Sequence, residues 1–146
     1  MKRRMREQMK PAPAPKGASE AIQRRIAAQD WWAAAFQVGI YRSTPIEPST
    51  DVLLADLLSG GARVAVPVQR GQAYGWGWVD AETRWRKGAH GIREPMETPF
   101  ASPDDLRVIV VPGLAFDMQG GRLGHGRGHF DRLLAQSRAL LVGLCF

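Results

Sequence analysis

The eight residues Asp105 to Pro112, DLRVIVVP, limit the fold more than any other stretch of the chain. Val108 to Val111 is an unbroken β-branched run, and branching at Cβ disfavours helix and suits a pleated surface. A strand with one wet face would alternate apolar and polar residues. Continuous apolarity instead predicts a strand covered on both faces, as in the middle of a parallel sheet. Parallel neighbours require crossover connections, so the same run predicts helices packed on the sheet and an α/β architecture.

The remaining segments agree with that expectation. Ser19 is placed to cap a helix whose apolar face would carry Ile22, Ile26, Trp32 and Phe36. VGIYRS (38–43) predicts a strand and TPIEPST (44–50) a turn. Asp51 to Leu58 predicts an amphipathic helix closed by Gly60 and Gly61. RVAVPV (63–68) predicts a strand ending in a loop, and residues 72–98, rich in Gly, Trp and Tyr, predict short strands and loops. GHFDRLLAQSR (128–138) predicts a helix, and ALLVGLCF (139–146) a second buried strand. The expected organisation is a basic arm over 1–10, a Pro-rich linker over 11–17 with polyproline character, and one α/β domain over 18–146. Its sheet is expected to be mostly parallel and flanked by helices.

Charge narrows the partner. The chain has 20 Lys and Arg against 14 Asp and Glu, a net charge of +6. Lys2, Arg3, Arg4, Arg6 and Lys10 against Glu7 place +4 of it in the first ten residues. This profile favours an anionic partner, whether nucleic acid, a nucleotide or a polyanionic small molecule, and a solvated basic tail is the plain alternative. No apolar run approaches the roughly 18 residues of a membrane span. The basic start lacks the apolar stretch of a secretory signal. The single Cys145 excludes an internal disulfide, and with these features predicts a cytoplasmic protein.

The strand expected over Asp105 to Pro112 leads into GGRLGHGRGHFDR (120–132), where glycine is too dense for a regular element. Its place between a buried strand and a helix is where open α/β sheets bind ligands, and helix N-termini attract anions. Glycines at 124, 126 and 128 would let backbone N–H groups approach phosphate oxygens. Arg122 and Arg127 would add charge-assisted hydrogen bonds, and Asp131 could hold Mg²⁺ beside the phosphates. A glycine-rich surface turn is the plain alternative. Neither the Walker A pattern nor G-x-G-x-x-G fits, since 124–128 reads G-x-G-x-G. His125 and His129 stand four apart, but the intervening glycines argue against the helix that would make them a zinc pair. His90 reads as a surface residue and Cys145 as a core one.

VIVVPGLAFDMQGGRLGHGRGHFDRLL (108–134) closely resembles the signature of the 5-formyltetrahydrofolate cyclo-ligase family, a strand ending in PGLAFD followed by G-x-RLG-x-G-x-G-YYD-R. KRRMR (2–6), YRSTPIEPST (41–50), VAVPV (64–68) and GIREP (91–95) resemble further family elements in the expected order, so the likeness covers nearly the whole chain. It implies a fold related to the ribose-phosphate isomerase and CoA-transferase type. The implied reaction is Mg²⁺- and ATP-dependent conversion of 5-formyltetrahydrofolate to 5,10-methenyltetrahydrofolate, through phosphorylation of the formyl oxygen. By the same resemblance Lys2, Arg6 and the loop Arg122, Leu123, Gly124, His125, Gly126, Arg127, Gly128, His129 and Phe130 would contact ATP. Arg122 and Arg127 would act on the transferring phosphoryl group and Asp131 would hold Mg²⁺. Glu47 would bind the pterin-like ring, Tyr74 and Trp76 would stack on the folate or serve as core, and Glu94 would serve the site or shape the turn before Pro95.

Departures from the family pattern carry expectations of their own. His129-Phe130 stands where the family has Tyr-Tyr. PAPAPKG (11–17) interrupts the first helix. Nothing up to Phe146 matches the family's later Gln and His-Asp segment, which predicts a C-terminally truncated product with weak or absent activity and an association-prone sheet edge. Two other functions stay open: an inactive relative with a nucleic-acid-binding or assembly role, and an ATP-dependent ligase for another heterocycle. Membrane partners are not expected, and nucleic acid is the lesser alternative. Arg122→Ala is expected to weaken ATP binding without unfolding the protein.

Overall fold

Val108–Pro112 forms a strand buried at every residue, with a parallel neighbour on each side. The structure, a computed structural model, describes residues 1–9 and 13–146. Lys10 of the basic arm and Pro11 and Ala12 of the linker therefore lie outside the described residues. In chain order the helices are α1 (Lys2–Gln8), α2 (Ala18–Ala27), α3 (Asp30–Ala33), α4 (Asp51–Ser59) and α5 (His129–Leu134). The strands are β1 (Gln37–Ile40), β2 (Arg63–Arg70), β3 (Ala73–Val79), β4 (Trp85–Lys87), β5 (Arg93–Pro95), β6 (Phe100–Ala101), β7 (Val108–Pro112), β8 (Ala115–Phe116), β9 (Arg122–Leu123) and β10 (Leu140–Leu144).

Among the described residues the main sheet has six strands in the order β10-β7-β1-β2-β3-β6. β10, β7, β1 and β2 run parallel, and β3 and β6 add antiparallel strands at one side. Two ribbons, β4-β5 and β8-β9, lie outside it. Side chains alternate between two buried layers, which is the physical meaning of the unbroken apolar run. Val108 and Val110 join Val38, Ile40, Val64 and Val66 beneath Ile26, Trp32, Leu53, Leu54 and Leu57. Ile109 and Val111 face the other way, with Ala65, Trp76, Leu106 and Leu133. Gly39 of β1 is needed on that second face. A Cβ there would stand 3.0 Å from both Leu106 and Trp76.

Several local expectations are corrected by packing. Ser19 does not cap α2; Gly17 holds the N-cap position, and Ser19 Oγ accepts a hydrogen bond from Ser49 N–H. Ile22, Ile26, Trp32 and Phe36 do not share one helix, because the chain breaks between α2 and α3, and Phe36 ends 60% exposed. The helix expected over 128–138 closes after six residues. β2 does not end in a loop at Val68 but runs on to Arg70, paired with β3. β10, expected as a buried strand, pairs with β7 alone among the described residues, and Leu140 and Leu141 are exposed there. Among the described residues no helix is long and apolar enough to cross a membrane.

Candidate functional site

A cavity of about 470 Å³ opens beyond the C-terminal ends of β1 and β7. β1 pairs with β2 only as far as Ala65, so Pro67 sits where β2 has no partner on that side. A residue lacking an N–H is tolerated there. Pro67 and Pro112 both line the cavity floor.

The segment after β1 forms one wall and is braced by its own side chains. Tyr41 Oη donates to the Pro48 carbonyl at 2.6 Å, and Thr50 Oγ1 donates to the Tyr41 carbonyl at 2.6 Å. Burial, with nearby Glu47, pushes the Tyr41 hydroxyl far above its ordinary pKa, so it remains a donor. Within this frame Thr44 N–H donates to Glu47 Oε2 at 2.8 Å, while Glu47 Oε1 lies 3.5 Å from His125 Nε2. The carboxylate is fixed, little exposed, and keeps lone pairs for a ligand's N–H groups.

The glycine segment forms the opposite wall. Gly126 and Gly128 take φ of 101° and 70°, the left-handed region that side chains rarely adopt. Arg122 is held by its guanidinium. Nε donates to the Pro112 carbonyl at 2.6 Å, Nη1 approaches Asp131 at 3.3 Å, and the group lies 5.3 Å from the Phe130 ring. Burial lowers the Arg122 pKa, and Asp131 and Glu47 oppose that shift. Arg6 of α1 reaches across to donate to the Gly124 carbonyl at 2.8 Å. Arg127 meets His90; a guanidinium can only donate, so His90 Nε2 accepts. His129 stacks on Tyr74 with ring centroids 4.5 Å apart. Desolvation, then Arg132, Arg127 and His90, lowers the His129 pKa.

Of the residues singled out in the sequence, Arg6, Glu47, Tyr74, Glu94, Arg122, Gly124, His125, Gly126, Arg127, Gly128, His129, Phe130 and Asp131 line this cavity. Three stand apart from its lining. Lys2 is exposed on α1, Leu123 is buried in the β8-β9 ribbon, and Trp76 is buried in the second core layer. Sequence reasoning missed His90, which lies in the cavity wall rather than alone on the surface, and Arg42, Thr44, Ile46 and Ile92. Arg42, Thr44, Ile46 and Ile92 lie within the family-like segments 41–50 and 91–95, and His90 directly precedes the second, where it and Gly91 adopt positive φ.

His125 and His129 do not converge, one facing Glu47 and the other Tyr74. Among the described residues no group of three or more His, Cys, Asp or Glu side chains is arranged to hold a metal. Asp131, 70% exposed and paired to Arg122, is the carboxylate that the glycine segment itself brings to the cavity, whose lining also includes Glu47 and Glu94. That donor set suits Mg²⁺, which commonly takes one or two carboxylates and fills its remaining positions with water and substrate phosphates.

A mostly parallel sheet with a cationic, glycine-lined cleft at the carboxyl ends of its strands defines an α/β protein with its cleft where open α/β sheets commonly bind ligands. The 5-formyltetrahydrofolate cyclo-ligase family model matches residues 1–145, and the chain belongs to that family. It is 39% identical over 103 residues to the 5-formyltetrahydrofolate cyclo-ligase of Mycolicibacterium smegmatis, covering 64% of this chain and 52% of that one. It is 28% identical over 126 residues to a probable 5-formyltetrahydrofolate cyclo-ligase of Caenorhabditis elegans, covering 80% of this chain and 61% of the relative. The matches thus span about half to three-fifths of these relatives' lengths. Among solved structures, the 5,10-methenyltetrahydrofolate synthetase of Aquifex aeolicus superposes with a TM-score of 0.86 at 28% identity, covering 99% of this chain and 77% of that one. The Mycoplasma pneumoniae synthetase, at 19% identity and a TM-score of 0.64, shows the shared fold.

Proposed function

We propose that this chain catalyses the ATP-dependent cyclisation of 5-formyltetrahydrofolate to 5,10-methenyltetrahydrofolate, releasing ADP and phosphate. The observation that carries the reading is one cavity with two chemically different walls. Arg6, Arg122, Arg127 and the glycine backbone, all in the lining, suit phosphates, and Glu47 with Ile46 and Ile92 suits a flat heterocycle. Substrates held in adjoining places gain the entropy advantage of an intramolecular reaction.

A formamide carbon is a poor electrophile and its oxygen a poor leaving group. Attack of the formyl oxygen on the γ-phosphorus breaks the bond to ADP and leaves an iminium phosphate. N10 then adds to the formyl carbon and loses its proton, and phosphate departs with the former formyl oxygen as the ring closes. Glu47 accepts from the ring N–H groups and fixes the formyl oxygen toward the glycine wall. Arg122 and Arg127 stabilise charge on the transferring phosphoryl oxygens. Asp131 would hold Mg²⁺, which when bound neutralises charge on the nucleotide phosphates.

A coupled assay of ADP release with 5-formyltetrahydrofolate present or omitted tests the reading. Folate-dependent release, with a new absorbance from the methenyl product, is expected. Release indifferent to folate would reassign the heterocycle wall. Steeply salt-dependent RNA binding without ADP release would transfer the function to the exposed Lys2, Arg3 and Arg4 of α1.

A further inference from the structure

Arg42 is the cavity cation that neither the glycine wall nor the mechanism above employs. It leaves β1 next to the buried Tyr41, and its side chain is only 15% exposed. Its guanidinium carbon lies 4.7 Å from the centroid of the Trp85 ring of β4. Its ion pair, Nη2 to Asp51 at 3.4 Å, is long and is made to a carboxylate that is 67% exposed. An arginine has five N–H donors in a rigid fork. This one is oriented by an aromatic face and leaves most of its donors uncommitted in the cavity wall.

The surroundings separate Arg42 from the phosphate wall. Arg42 contacts Asp51 and the Trp85 ring, whereas Arg122 contacts the Pro112 carbonyl, Asp131 and the Phe130 ring. The cavity therefore has two arginines with different neighbours, and Ile46 and Ile92 add apolar lining. A ligand suited to it is anionic at one end, flat and apolar in the middle, and meets a nucleotide at the other.

We propose that Arg42 is a specificity-determining residue that binds the carboxylate tail of the substrate, its glutamyl end; this rests on the cyclo-ligase reading above. With the ring held by Glu47 beside His125, the formyl group must meet the glycine wall. The rest of the molecule then runs away from that wall, along the apolar surface, to the guanidinium. A carboxylate there forms a forked, charge-assisted pair at a place where the protein supplies only one exposed acid.

The test compares wild type, Arg42→Leu and Arg42→Lys on 5-formyltetrahydrofolate and on 5-formyltetrahydropteroate, which lacks the glutamate. KM and kcat are measured for each, with a melting curve for each variant. Arg42→Leu should raise KM for the glutamate-bearing substrate roughly tenfold or more, the factor a charged hydrogen bond is worth. Its kcat should stay within about twofold, and its KM for the pteroate should match wild type. Arg42→Lys should recover part of the loss. Equal losses on both substrates, or a wild type that does not favour the glutamate, would overturn this role while leaving the cyclo-ligase reading intact. A wild type that neither turns over nor binds either folate would remove both.

Discussion

Replacing Arg122 by alanine measures how far the glycine wall depends on one side chain. The Nε–H donor to the Pro112 carbonyl is charged, 2.6 Å long and mostly shielded, the side chain being 14% exposed. A bond of that kind contributes about 1.5–3 kcal/mol. The pair with Asp131 adds about 0–1 kcal/mol, because that carboxylate is well solvated. The Phe130 ring adds at most about 0.5–1 kcal/mol. Rehydrating a partly buried guanidinium offsets some of this, so a net loss of about 2 kcal/mol is expected. For a chain of this size that lowers Tm by roughly 4–8 °C. The variant should still fold, but at a cost in stability, because this arginine ties the glycine loop to the end of β7. Urea unfolding followed by tryptophan fluorescence, with calorimetric titration of Mg-ATP, should show a folded but weakened protein with poor nucleotide affinity. A cycle with Asp131→Asn divides the loss. The coupling between the two residues should be about 0.5 kcal/mol, and most of the effect should survive in the Asp131→Asn background. A stability loss below about 0.5 kcal/mol, or one that vanishes in that background, would refute the brace to Pro112.

Asp131→Asn alone should cost about 1 kcal/mol or less of stability yet abolish turnover, with partial recovery at high Mg²⁺; intact turnover would show that Asp131 only favours the helix start. His129 binds its proton less readily folded than unfolded. The unfolded chain therefore holds more protons in the window below the ordinary histidine value of about 6.5. Stability should fall as pH drops from that value through the depressed one. His129→Gln should flatten this part of the Tm–pH curve, and an unchanged curve would remove His129 as its source. A Cβ at Gly143 would run into the Phe116 ring. Gly143→Ala should cost about 1–3 kcal/mol by overpacking, and Phe116→Leu in the same chain should restore most of it if that contact is the cause. The uncharged edge of β10 exposes Leu140 and Leu141. Leu141→Lys should reduce concentration-dependent association in sedimentation experiments, and equal association in both proteins would locate the contact elsewhere.

Local chemistry was enough to reveal the parallel core and the irregular glycine loop. An unbroken β-branched run can be buried on both faces in few ways, and glycines at 126 and 128 are the residues that tolerate the positive φ found there. The sequence also indicated the α4 stop, where Gly60 caps the helix and Gly61 turns left-handed. It misjudged elements whose fate depends on distant neighbours. Trp76 has an aromatic character that suits a flat ligand or a core equally. The register that pairs it with Pro67 and Ala101 packs it among Ile109, Val111 and Leu133 instead. His90 and Arg127 are 37 residues apart, as residue types give no sign of each other, and meet only because the segment around β5 closes over the glycine loop. Arg42 reads as an ordinary cation until the fold lays it on Trp85 and confines it in the cavity wall. Residue chemistry and local backbone preference act over a few positions and could be read from the chain. Burial, pairing and solvent exclusion are collective, and only the tertiary structure decided them.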